Sequence, residues 1–191
     1  MPLMASSDQS FQSPAPWFAV RVRPQHEKTA HLALSHMGLE SCLPLYRSRR
    51  QWSDRYKELL LPLFPGYLFC RFHPQDKLRV ETTSSVLAIV SYGACLAPVP
   101  DSEISAVQLM LASGLPVGPY PYLKEGDLVY IHRGPLRGLE GILVQVKNHW
   151  RVIVSVTLLQ RSVSAEVDRE FVSLSSRFRP RHLLAARGAY A

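Results

Sequence analysis

Nine residues, "GLPVGPYPY" at 114–122, contain three prolines and two glycines. Proline fixes φ and has no N–H to donate, so helices and interior strands rarely run through such a segment. Proline-rich connectors act as semi-rigid spacers. The segment therefore predicts a linker over 115–123, with an independent pattern on each side.

Ahead of the linker the pattern mixes periods of two and of about 3.6. "WFAVRV" (17–22) alternates, with Trp17, Ala19 and Arg21 on one face and Phe18, Val20 and Val22 on the other. Pro24 suits a first helical position. Ala30, Ala33, Leu34 and Met37 recur at helical spacing, and Gly38 is placed to end that helix. "SCLPLYRSR" and "LFPGYLFCRF" read as two strands around the polar tip "RQWSDRYKE", which makes a hairpin. A short helix in "HPQDKLRVETTSS" and a strand in "VLAIVSYG" follow. "PDSEISAVQLMLASG" then predicts a helix with Asp101 as N-cap, an apolar stripe of Ile104, Val107 and Leu111, and Gly114 as its end. The order β-α-β-β-α-β-α over 17–114 suggests an α+β fold with a mixed sheet of the split βαβ, ferredoxin-like type.

Behind the linker only short β-branched strands remain: "DLVYI", "EGILVQV", "RVIVSVTLL", "SVSAEVD" and "EFVSL". Glycine and Gly-Pro turns between them predict a small closed barrel over 124–175. Residues 1–16 read as a disordered leader, without the basic start and apolar core of a secretion signal. Residues 176–191 read as a loosely held basic tail.

The bulk chemistry limits the function classes. Lys and Arg number 22 against 15 Asp and Glu, a formal charge of +7, which favours a polyanionic partner and nucleic acid before a membrane surface. No apolar run approaches the roughly 20 residues needed to span a bilayer. Cys42, Cys70 and Cys95 stand apart in apolar stretches without a CxxC pair. They read as reduced thiols of a cytoplasmic protein. Neither a nucleophile elbow, nor a phosphate-cradling glycine loop, nor a metal-spaced His/Cys cluster is present, so the reading is non-catalytic, with no cofactor and no metal.

In "GDLVYIHRGPLRGLEGILVQV" (126–146), Gly126 turns the chain into a strand, and Gly134, Pro135 and Gly138 shape a loop. Gly141 permits a close approach as the next strand starts. This spacing resembles the KOW motif of ribosomal proteins and transcription elongation factors, part of an SH3-like barrel. Gly126 and Gly141 answer to turn geometry, and the exposed loop Arg133–Arg137 is the expected contact surface.

With that barrel behind it, "WFAV" followed by "LPLFPGYLF", a hydrophobic strand and a helix resembles the NusG family of elongation factors. The likeness runs from Trp17 to about Leu174. "RQWSDR" followed by "PLFPGYLF" is similar to the specialised RfaH-like and UpxY-like antiterminators of surface-polysaccharide operons.

The resemblance implies that the first domain binds the clamp helices of RNA polymerase through Phe64, Pro65, Gly66, Tyr67 and Phe69. Read by themselves, these apolar residues would be ordinary core. Alternation puts Tyr67 and Phe69 on one face, opposite Leu68, Cys70 and Phe72, which would leave one set available. Family members also run beside upstream DNA and the non-template strand. The basic residues placed to contact such DNA are Arg21, Arg23, His26, Arg47, Arg49, Arg50 and Arg55, with Trp52 at the hairpin tip to stack on an unpaired base. On the first helix His26, Thr29, Ala33 and His36 share a flank, less basic than in RfaH-like relatives.

In the barrel, the family's usual aromatic and glycine ahead of the arginine matching Arg161 are replaced by Leu159 and Gln160. That departure argues against docking to the termination factor Rho and leaves the small ribosomal subunit as another expected partner. The chain is expected to be a monomer with no membrane association. The alternative reading is a KOW-type RNA-binding or ribosome-associated protein.

Overall fold

The computed structural model describes residues 14–52, 55–122, 126–146 and 149–175, the side chains of Arg50, Trp52, Arg55 and Val146 excepted. The leader's first thirteen residues and the basic tail 176–191 lie outside the described residues. In chain order the elements are β1 (Trp17–Val22), α1 (Glu27–His36), β2 (Glu40–Cys42), β3 (Leu45–Trp52), β4 (Arg55–Pro62), β5 (Tyr67–Arg71), α2 (Lys77–Glu81) and β6 (Val86–Ile89). Next come β7 (Ser91–Tyr92), β8 (Cys95–Leu96), β9 (Pro98–Val99), α3 (Asp101–Ala112) and β10 (Val117–Tyr120). The remainder is all strand: β11 (Asp127–Ile131), β12 (Glu140–Val146), β13 (His149–Val156), β14 (Arg161–Val167) and β15 (Val172–Leu174), with single 3-10 turns between.

The described residues form two compact units, those within 14–42 and 66–98, and those within 43–65 and 99–175. In the first, the sheet path is β2-β5-β1-β6, antiparallel at each of these three pairings. Helices follow its first and third strands, α1 and α2, so the arrangement is the split βαβ one that the pattern predicts. The "WFAVRV" strand is buried at every position except Arg21. The Phe18 and Phe72 rings meet at 4.6 Å on one face, and Arg71 lies over the Trp17 ring on the other, 4.8 Å from its centroid.

Helix α1 begins later than the sequence suggests. Gln25 takes φ 65, outside the right-handed helical region, so Pro24 belongs to a turn and Glu27 opens the helix. Ala30 and Leu34 are its buried pair. Gly38, at φ 78, ends it as expected.

In the second unit β3 and β4 pair as a regular hairpin from Leu45↔Pro62 to Trp52↔Arg55. This corrects the expected pairing. "LPLFPGYLF" is not one strand but the end of β4 and the start of β5, with the turn Leu63–Gly66 between, and so Pro65 interrupts no ladder. In α3 the N-cap position is Pro100, without a side-chain cap, and Asp101 is the first helical residue. Its buried stripe is Ile104, Val107 and Met110, with Leu111 half-buried.

The barrel strands run β10-β14-β13-β12-β11-β15, all antiparallel. Val117–Tyr120, inside the segment expected to be a spacer, is a strand paired with β14. Its Pro119 is tolerated because β10 is an edge, where an N–H can go unpaired. Gly141 is required by close approach: a Cβ there would lie 2.7 Å from the Ile153 carbonyl oxygen across the β12–β13 ladder. Ser155 and Ser162 face each other in the β13–β14 register with their hydroxyls 2.8 Å apart, so that polar pair is satisfied.

Candidate functional site

The Leu63–Gly66 turn is built by Gly66, whose φ of 80 is a left-handed conformation that other residues rarely adopt. The space beside it is open, with only the Val22 carbonyl at 4.0 Å from an ideal Cβ, so conformation and not crowding is what demands glycine. Gly66 is tied twice to its own unit. Its carbonyl accepts the Val22 N–H at 2.9 Å, and its N–H donates to Glu27 Oε1 at 2.9 Å. Glu27 is only 7% exposed and lies in the first turn of α1, where the helix dipole favours a carboxylate. On the other side of the peptide link, the Pro65 carbonyl accepts a hydrogen bond from Arg161 Nη1 at 3.1 Å.

The aromatic residues around this turn divide sharply. Phe64 and Phe69 are fully buried, and so are Leu68 and Cys70. The expectation that one face of β5 stays available is therefore corrected for Phe69. β5 is an interior strand, paired with β1 and β2, and both of its faces are buried. Phe64 and Phe69 present no surface in this structure. Pro65 is exposed, and Gly66 and Tyr67 are half-buried.

Arg21, Arg23 and His26 are exposed, all in the first unit. The His26 ring turns back on its own loop, with Nδ1 donating to the Pro24 carbonyl at 3.0 Å. Arg47 and Arg49 are exposed on the hairpin, in the second unit. Arg50, Trp52 and Arg55 lie on its paired strands, but their side chains are outside the described residues. The β3–β4 register puts Arg47, Arg49 and Gln51 on one face with Leu60, Glu58 and Tyr56. Leu60 and Tyr56 are 51% and 59% exposed, and the Arg49 guanidinium sits 4.2 Å from the Tyr56 ring centroid. Arg49 is among the residues singled out by sequence, but Tyr56, the ring beneath it, is not. Strand alternation across the hairpin would have found Tyr56, whereas nothing local links Glu27 to Gly66, 39 positions away.

In the barrel, Gly126, Gly134 and Gly138 all have positive φ, Pro135 is exposed, and Gly141 is buried in β12. Arg133 and Arg137 are exposed, as the contact-loop reading requires. Gln160 is left-handed at φ 47, ψ 47, ahead of half-buried Arg161.

Comparisons with known proteins agree with this architecture. The family described as "Transcription termination factor nusG" matches residues 15–108, and the KOW motif matches residues 125–156. The solved structure of Thermotoga maritima NusG, described for its domain interaction, shares 20% identity over 83% of this chain and 96% of that one. Its TM-score of 0.51 is a likeness of fold. Conformations B and A of the MjSpt4:Spt5 complex align at 16% and 18% identity over 83% of this chain and 95% and 97% of theirs. Their TM-scores of 0.29 are too low to compare folds. With the NusG match over the ferredoxin-like sheet and the start of α3, and the KOW match over the barrel's glycine loop, the chain belongs to the NusG family of transcription elongation factors.

Proposed function

We propose that this elongation factor acts without catalysis, by binding RNA polymerase at its clamp helices and suppressing pausing and termination. The domain assignment that goes with this is a polymerase-binding domain over 17–114, a linker over 115–123 and a KOW barrel over 124–175. The contact is carried by Pro65, Gly66 and Tyr67, while Phe64 and Phe69 support that ridge from the core. A bend stiffened by proline beside an aromatic ring offers contact area at low entropic cost, as interface hot spots require. Arg21, Arg23 and the hairpin arginines run along the upstream or non-template DNA, neutralising phosphates. A factor that binds the elongating conformation more tightly than the paused one shifts the population toward elongation.

The observation that carries this reading is the NusG match over 15–108, which includes the whole Leu63–Tyr67 turn and the hairpin. The specialised role, on a polysaccharide-type operon, rests on the "RQWSDR…PLFPGYLF" resemblance. The barrel's Leu159 and Gln160 favour the small ribosomal subunit over Rho as any further partner. The test is single-round transcription by purified polymerase on a template with a mapped pause and an intrinsic terminator. The expected result is a shorter pause and more readthrough, lost in Tyr67→Ala with circular dichroism unchanged. Pause lifetimes unaffected by the wild-type protein would refute the proposal.

A further inference from the structure

At one end of the barrel a cleft of about 230 Å3 opens beside the KOW loop. The Trp150 and Phe171 rings line it, Arg133 brings a cation, His149 an imidazole, and Glu166 and Asp168 bring carboxylates. Its walls are pinned by backbone bonds: the Phe171 N–H donates to the Asp168 carbonyl, and the His132 N–H to the Phe171 carbonyl, each at 3.0 Å. The Arg169 guanidinium stands over the Trp150 ring, 5.4 Å from its centroid. Trp150 and Phe171 are half-buried, so each ring is held by packing and still reachable from solvent.

The polar groups of this lining are unequal. Glu166 is engaged by Arg151 at 3.4 Å, its opposite partner in the β13–β14 register. Asp168, Arg133 and His149 are exposed, with no side-chain hydrogen bond or ion pair among the described residues. A simple anion would meet Asp168, and a simple cation would meet Arg133 and Arg169. A ligand that satisfies the whole lining has a flat apolar body, a donating edge and an anionic end. We infer that the cleft binds a guanine base of single-stranded nucleic acid. The base stacks in the Trp150–Phe171 cleft, its N1–H and exocyclic N2–H donate to the Asp168 carboxylate, and Arg133 and His149 face the adjoining phosphate. Unpaired bases are commonly held in this way, by aromatic stacking plus hydrogen bonds to the Watson–Crick edge. Adenine offers no donor pair at that edge, so the carboxylate sets the preference. This surface is separate from the hairpin proposed above to follow DNA.

The test uses the full chain and fluorescein-labelled 12-mers, oligo-U with one central G or one central A, as RNA and as DNA, read by anisotropy. The G-containing strand is expected to bind about tenfold more tightly than its A counterpart, the low end of what a hydrogen bond to a solvent-exposed carboxylate contributes. A stronger response from the RNA arm assigns the ligand as RNA, from the DNA arm as DNA. Asp168→Asn, at an exposed position, removes the G-over-A preference, and Arg133→Ala weakens both strands. Equal binding of G and A strands by the wild-type chain overturns the proposal. So does a preference that survives Asp168→Asn. An arginine-bearing peptide that shifts the Trp150 indole NMR signal while the G strand does not would also overturn it, and would make the cleft a protein-docking site.

Discussion

Removing the Glu27 carboxylate tests whether the Leu63–Gly66 turn is held in shape from beneath. In the wild-type chain Glu27 Oε1 accepts the Gly66 N–H at 2.9 Å and is 7% exposed. A hydrogen bond to a charged group contributes about 1.5–3 kcal/mol, and a carboxylate in a first helical turn adds about 0.3–1 kcal/mol. Glu27→Ala removes both and leaves the Gly66 N–H without its acceptor, so its expected cost is about 2–3 kcal/mol. Glu27→Gln keeps an acceptor oxygen of the same reach but loses the charge, and should cost about half as much. Urea denaturation followed by circular dichroism measures the difference as a shift in midpoint at constant slope. The same two proteins, assayed below their unfolding midpoints for pause suppression, should rank wild type, then Gln, then Ala. A Glu27→Ala protein within about 0.5 kcal/mol of wild type, the range of ordinary surface substitutions, would refute the idea that this bond shapes the turn.

Three further outcomes are expected. If the hairpin follows a nucleic-acid backbone, Arg47→Ala and Arg49→Ala should each lower the slope of log K against log salt by about 0.7 for a single strand, measured by anisotropy; unchanged slopes would place these arginines off the nucleic acid. Gln160 occupies a left-handed conformation that costs a non-glycine residue about 1–2 kcal/mol, part of which glycine returns as unfolded-state entropy. Gln160→Gly should therefore stabilise the barrel by up to about 1 kcal/mol in thermal denaturation, and a loss of stability would contradict that. The Cys70 thiol is pushed up from 9.0 to about 12, by burial first and then by the negative charge of Glu40. Below pH 9.0 it is protonated in both the folded and the unfolded chain and favours neither. As pH rises from 9.0 toward 12 the unfolded chain releases this proton while the folded one keeps it, so stability falls across that window. Cys70→Ala should flatten that alkaline loss, and at pH 8 a thiol reagent should label exposed Cys95 but not Cys70.

The elements that were legible in the sequence are those with a strong local pattern. "WFAVRV" and "DLVYI" are dense in β-branched and aromatic residues, and each is a strand at its expected bounds; "RVIVSVTLL" is a strand only to Val156, its last three residues forming a 3-10 turn. What local pattern could not supply was pairing. The apolar run "LLLPLFPGYLF" has the composition of one strand, and only the register shows that Leu59–Pro62 belongs to β3's partner while Tyr67 starts an interior strand of another sheet. Helix starts were misplaced for a related reason. Gln25 in the left-handed region moves the start of α1 past Pro24, and Pro100 takes the position expected for Asp101.

The same limit explains the fate of the candidate contact residues. Alternation correctly separates Phe69 from Leu68 and Cys70, but it carries no information on whether the second face is covered. An edge strand of this composition would have kept a face for a partner. β5 sits between β1 and β2, and its three central residues, Leu68, Phe69 and Cys70, are all fully buried. The turn between β4 and β5 is then what frees contact area. The β3–β4 ladder ends at Pro62, Gly66 turns left-handed, and from Leu63 to Cys70 the chain shows the outside only Pro65 and parts of Gly66 and Tyr67. A partner that grips this turn meets little surface, but Gly66 is preset by its two hydrogen bonds to Val22 and Glu27, and little ordering entropy is left to lose there on binding. Gly66→Ala isolates that preset, since its Cβ would meet nothing closer than 4.0 Å and the substitution acts only through φ. It should weaken polymerase binding more than the surface it changes accounts for; an unaltered affinity would mean that the turn's conformation is not what the partner selects.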